Sequence, residues 1–108
     1  MADFVFGERD NGALVEVSRG SKITIKLEEN PTTGYRWVPR SIDEVFLALE
    51  GDVFLTGEFT ELGAGGVRQF FFRAKGAGQT KIQLVYKRPW QNDEQAAGSF
   101  MLPILISK

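Results

Sequence analysis

The sequence predicts an all-β fold: an antiparallel β-sandwich of seven or eight short strands. Three observations carry that reading. Apolar residues recur mainly at every second position, which is the repeat of a strand with one wet face. Clusters of Gly, Asn, Asp, Ser and Pro interrupt these runs about every ten residues, the spacing expected of a sandwich. Only residues 41–50 have any helical character, and that run is too short for more than a turn or two.

The elements follow in order. "ALVEVSR" (13–19) sets Ala13, Val15 and Val17 on one side. "KITIKLE" (22–28) alternates Ile23, Ile25 and Leu27 with Lys22, Thr24 and Lys26. "YRWVP" (35–39) is a short strand whose Trp37 resembles the core Trp of immunoglobulin-like folds, so its role is expected to be structural. In "SIDEVFLALE" (41–50), Ser41 with Glu44 three residues on matches a capping box. "VFLTGEFT" (53–60) is the next strand. "VRQFFFRA" (67–74) and "SFMLPILIS" (99–107) are apolar on both sides and suit central strands. Pro103 cannot donate to a ladder, so a bulge or a sheet edge is expected there. "TKIQLVYK" (80–87) alternates Ile82, Leu84 and Tyr86 with more polar neighbours. Asn11-Gly12 is a hairpin-type turn signal. No repeat or linker divides the 108 residues, so the whole of 1–108 is expected to form one domain.

Composition excludes several functions. The chain has no Cys and no His, which removes thiolate nucleophiles, disulfides, the commonest metal ligands and the usual general base. No metal or other cofactor is therefore expected. A net charge of −1 gives no basic face for nucleic acid. No apolar run is long enough to span a membrane. "MADFVFGERD" lacks the apolar core of a signal peptide, which leaves an intracellular protein or the mature form of a secreted one.

Three loops carry more than turn chemistry: "NPTTGY" (30–35), "GAGG" (63–66) and "RPW" (88–90). Each has a plain reading alone. The first can be a turn with Pro at its second position. The glycines of the second can serve positive φ angles, or can bare the backbone for a partner strand. The third can be a surface cation–π pair, or an interface hot spot stiffened by Pro89. Consecutive antiparallel strands reverse direction. With 41–50 treated as a connector, two strands separate each loop from the next, and the parity places all three at one end.

In order and separation the three loops resemble those of the chagasin family, immunoglobulin-like inhibitors of papain-like cysteine proteases. The matching residues are Asn30, Pro31, Thr32, Thr33, Gly34 and Tyr35, then Gly63, Ala64, Gly65 and Gly66, then Arg88, Pro89 and Trp90. The resemblance runs from about Ser18 to the C-terminus. It implies a monomeric inhibitor, not an enzyme, whose three loops fill the protease cleft. Thr32 and Thr33 would lie nearest the catalytic cysteine. The glycine loop would pair by backbone along the non-primed subsites, so that bulky residues at 65 and 66 would harm binding and spare the fold. Trp90 would pack on the primed side, with Arg88 in polar contacts nearby. Pro31 and Gly34 would fix the loop shape, and Asn30 would brace it through an Asx-type bond. Tyr35 is a support as much as a contact.

Two other classes remain open at this level. One is an immunoglobulin-like adhesion or carbohydrate-binding module with Trp90 as a stacking platform. The other is a small carboxylate enzyme built around "NDE" (92–94).

Overall fold

A computed structural model describes residues 2–56 and 65–108. The strands are β1 (Asp3–Gly7), β2 (Val15–Ser18), β3 (Lys22–Glu29), β4 (Arg36–Pro39), β5 (Leu47–Thr56), β6 (Gly66–Ala74), β7 (Gly78–Lys87) and β8 (Gly98–Ser107). They form two four-stranded sheets, in the orders β1-β3-β6-β5 and β2-β8-β7-β4. Period-two alternation fills the space between them. Ile23, Ile25 and Leu27 of β3 meet Phe70 and Phe72 of β6, Ile82 and Leu84 of β7, and Phe100, Leu102, Ile104 and Ile106 of β8, all at 2% exposure or less. Burying each such side chain contributes roughly 1.5–3 kcal/mol.

The sandwich is as expected, with local departures. β1 was not foreseen. Phe4 and Phe6 alternate with exposed Asp3 and Val5, but a five-residue run after an acidic start is a faint signal. β1 runs parallel to β3, and β2 runs parallel to β8, so both sheets are mixed. The cause is a crossover, since β1 lies on the edge of one sheet and β2 on the edge of the other. Asn11-Gly12 therefore closes no hairpin. The Asn11 side chain instead pairs with β8: its amide donates to the Ser99 carbonyl (3.3 Å), and its oxygen accepts from the Met101 N–H (2.9 Å).

Residues 41–50 contain no helical cap. Ser41 has a φ of 141°, and β5 begins at Leu47, which pairs with Ala74 and is fully buried. Burial in a sheet here overrides a weak helical signal. The "VFLTGEFT" strand is seen to Thr56, and 57–60 lie outside the described residues. Pro103 is in neither a bulge nor an edge. It pairs in regular register with Lys81 inside central β8. Its missing N–H would face β2, and the β2 ladder starts only at Ile104. The ladder loses no bond.

Register fixes which strand ends meet at one end of the sandwich. Glu29 at the end of β3 pairs with Gly66 at the start of β6, and Thr56 at the end of β5 pairs with the same residue. Arg36 at the start of β4 pairs with Lys87 at the end of β7.

Candidate functional site

These pairings bring the 30–35 loop beside the end of β5 and the start of β6 on one flank and beside the β7–β8 connection on the other. Among the described residues, Thr56, Gly66 and the Arg88 turn lie at the same end as the 30–35 loop. Two strands do separate each loop from the next, although part of the supposed connector is strand. Gly63 and Ala64 lie outside the described residues, while Gly65 and Gly66 are at the loop end.

The hexapeptide is braced mainly by its own atoms. A short 3₁₀ turn covers Pro31–Thr33. The Asn30 side-chain oxygen accepts from the Thr32 N–H at 3.1 Å, which is the expected Asx-type bond, and from the Thr32 hydroxyl at 2.6 Å. The Thr33 hydroxyl donates to the Asn30 carbonyl at 2.7 Å and accepts from the Tyr35 N–H at 3.3 Å. Both hydroxyl protons are therefore committed within the loop. The exposed threonines offer a partner methyl groups and oxygen lone pairs instead of free donors. Gly34 supplies a φ of 82°, a conformation costly for other residues.

The third loop is a turn from Arg88 to Gln91. The Gln91 N–H donates to the Arg88 carbonyl (3.0 Å), and the Gln91 side chain accepts from the Arg88 N–H (2.9 Å). Pro89 and Trp90 occupy its tip, and Trp90 is 75% exposed. The Arg88 guanidinium lies between two rings, 4.7 Å from the Tyr35 centroid and 5.8 Å from the Trp90 centroid. Tyr35 stacks in turn on Tyr86 (5.4 Å), and Tyr86 on Trp37 (4.9 Å). An aromatic–cation ladder thus ties the first loop to the third. Arg88 and Trp90 form the surface cation–π pair that the sequence allowed, and Arg88 also faces Tyr35. Tyr35 is half-buried between Arg88 and Tyr86.

Gly65 and Gly66 show why side chains are absent there. A Cβ on Gly65 would lie 2.4 Å from the Glu29 carbonyl oxygen, and one on Gly66 would lie 2.1 Å from that of Leu55. Gly66, at the start of β6, has no positive φ. Close backbone approach inside the inhibitor explains both residues.

Sequence reasoning missed the anchor beneath these loops. Glu29 continues the inward series Ile23, Ile25, Leu27, and Arg68 begins the inward series Phe70, Phe72. Glu29 is 2% exposed and Arg68 is 8% exposed. Arg68 Nη2 and Nε donate to Glu29 Oε2 at 2.7 and 3.1 Å, and Arg68 Nη1 donates to Asp52 at 2.8 Å. The hydrogen bonds to Glu29 push the Arg68 pKa further up, against the effect of burial. Two charged residues at inward parity were the available signal.

Asp93 of the "NDE" stretch serves structure. Asp93 accepts from Lys87 at 2.8 Å and faces Arg40 at 3.7 Å. The hydrogen bond from Lys87 holds its carboxyl below the ordinary value. Asn92 caps a short turn through Gln95.

Residues 16–104 match the model of the chagasin family of peptidase inhibitors, I42. The chain belongs to the chagasin family. It is 36% identical over 85 residues to chagasin of Trypanosoma cruzi, covering 74% of this chain and 76% of that protein. Amoebiasin-1 of Entamoeba histolytica is 34% identical over 85 residues, 77% of this chain and 80% of that one. The crystal structure of a cysteine protease inhibitor from Entamoeba histolytica has a TM-score of 0.84 and 26% identity, and covers 97% of this chain and 95% of its own. The fold is thus the chagasin-type immunoglobulin-like sandwich, and the chain is an inhibitor and not an enzyme. β1 precedes the part matched by the chagasin family model.

Proposed function

We propose that this chain reversibly inhibits papain-like cysteine proteases by filling the active-site cleft with the three-loop end of its sandwich. Family membership supplies the activity. The observation that supports the loop assignment is a self-braced, uncharged hexapeptide beside an exposed Trp90 at the same end. Asn30, Pro31, Thr32, Thr33, Gly34 and Tyr35 take the centre of the cleft. The segment at Gly63, Ala64, Gly65 and Gly66 takes the non-primed side. Arg88, Pro89 and Trp90 take the primed side. A wedge of this size buries on the order of 800 Å² per partner. Its internal bonds reduce the entropy lost on binding.

The direct test is titration of papain with the purified protein. The hexapeptide contains no electrophile, so binding should need no chemistry from the protease. An enzyme with its catalytic Cys replaced by Ala is expected to compete for the inhibitor as well as the active one. The inhibitor is expected to return at full mass after long incubation. A covalent adduct, or a cut within 30–35, would replace occlusion by a substrate-like mechanism.

Trp90→Ala is expected to weaken inhibition by about 1–3 kcal/mol, as loss of a buried aromatic anchor does. The thermal transition should stay in place, because the ring is exposed in the free protein. Wild-type inhibition by this variant would remove the Arg88–Trp90 turn from the interface.

A further inference from the structure

The 30–35 loop leaves β3 in one sheet and enters β4 in the other. No ladder joins its two stems, so ordinary strand pairing cannot set their separation. Side chains do so instead. Glu29 Oε1, on the entering stem, accepts the Trp37 N–H of the leaving stem at 2.7 Å. The Trp37 indole N–H donates to the Glu28 carbonyl at 2.8 Å. The same Glu29 carboxylate holds Arg68, which reaches from β6 to Asp52 on β5. The Phe54 ring covers the guanidinium at 5.2 Å. One buried carboxylate is therefore bonded to both stems of the first loop and to a residue just beyond the second.

Stability is a weak reason to keep such a group. Desolvating a buried ion pair costs much of what its attraction returns, and well-packed apolar residues often replace one without loss. Leu or Ile would continue the inward series at both positions. They would, however, leave the Trp37 N–H without its acceptor and the 30–35 loop without its tie to β5 and β6.

We propose that Glu29 and Arg68 are positioning residues for protease binding, which lock the 30–35 loop against the adjoining strands β5 and β6 in its binding arrangement before the enzyme arrives. This rests on the three-loop reading above. If only a fraction of molecules holds the competent arrangement, affinity falls by that fraction.

The test compares Glu29→Leu/Arg68→Leu and Glu29→Gln with wild type in thermal melts, papain inhibition and amide hydrogen exchange. The double variant is expected to melt within a few degrees of wild type, yet to inhibit about tenfold or more weakly, mainly through slower association. The Thr32 and Thr33 amides are expected to exchange faster. Glu29→Gln keeps an acceptor for Trp37 but removes the buried countercharge of Arg68 and leaves it only the half-exposed Asp52, so it should lose both stability and inhibition. A merely structural pair gives another pattern, in which inhibition returns whenever stability does. A double variant that is as stable and as inhibitory as wild type therefore overturns the proposal. If the double variant does not fold, Asp52→Asn decides. Its carboxylate side chain is 46% exposed, so the fold survives, and unchanged inhibition and exchange overturn the proposal. Failure of wild type itself to inhibit papain would sink the three-loop reading, while the exchange data would still report whether the pair orders the loop.

Discussion

Valine at both Gly65 and Gly66 is expected to lower folding stability by about 3 kcal/mol or more, from two overpacked sites at 1–3 kcal/mol each. A loss of that size moves the melting temperature of a domain near this length by about 10 °C or more. The reason is contact within the inhibitor. The new Cβ atoms would fall 2.4 Å from the Glu29 carbonyl oxygen and 2.1 Å from that of Leu55. Both obstacles are backbone held in ladders, so neither can swing aside as a side-chain tip would. Inhibition would fall as well, because Glu29 is the stem of the first loop. The sequence alone points the other way, to glycines that bare the backbone for the protease and can be replaced without cost to the fold. Circular dichroism melts separate the two. A double variant that melts like wild type and loses only inhibition would restore the sequence-based view.

The second large effect is expected from Thr32→Glu. Inhibition should fall by more than about a hundredfold, since burying an unpaired carboxylate costs several kcal/mol. The melt should barely move, because Thr32 is exposed. Two causes add. The substitution removes the 2.6 Å bond to Asn30 and sets a negative group beside the oxygen that accepted it. It then carries that charge into a narrow groove. Thr32→Ala with Thr33→Ala should cost only about 1–2 kcal/mol, the scale of neutral hydrogen bonds. Since both hydroxyls bond inside the loop, that loss should appear as faster amide exchange at 30–35 as well as weaker binding. A Thr32→Glu chain that still inhibits at wild-type level would take this residue out of the cleft.

Much of the fold was legible because burial in a sandwich writes itself at period two. Ile23, Ile25 and Leu27, and Ile82 and Leu84, could be assigned to the inner face from spacing alone. The rest depends on partners distant in the chain. A strand as brief as Asp3–Gly7 is held by its pairing with β3, and Leu47 joins a strand because Ala74 lies opposite. Parity predicts a common end for the three loops, since it needs only a count of strands. It could not show that Arg88 would sit between Tyr35 and Trp90, or that the glycines answer to Glu29 and Leu55. Those are cross-chain distances. Glu29 and Arg68 were the missed opportunity. A charge at an inward position must find a partner, and Glu29 and Arg68 are opposite charges at inward parity on neighbouring strands.

The direction of the outer strands has a practical outcome. β1 starts beside the start of β3, and β8 ends beside the start of β7. Asp3 and Ser107 therefore lie at the end remote from the loops, separated from them by strands of up to 10 residues, roughly 30 Å. A molecule fastened through either end, to a bead, a sensor surface or a second module, would hold its loops outward and unobstructed. Two copies joined tail to tail would face opposite ways and could each occupy a separate enzyme, whereas a linker inserted near Gly34 or Trp90 would silence the copy that carried it.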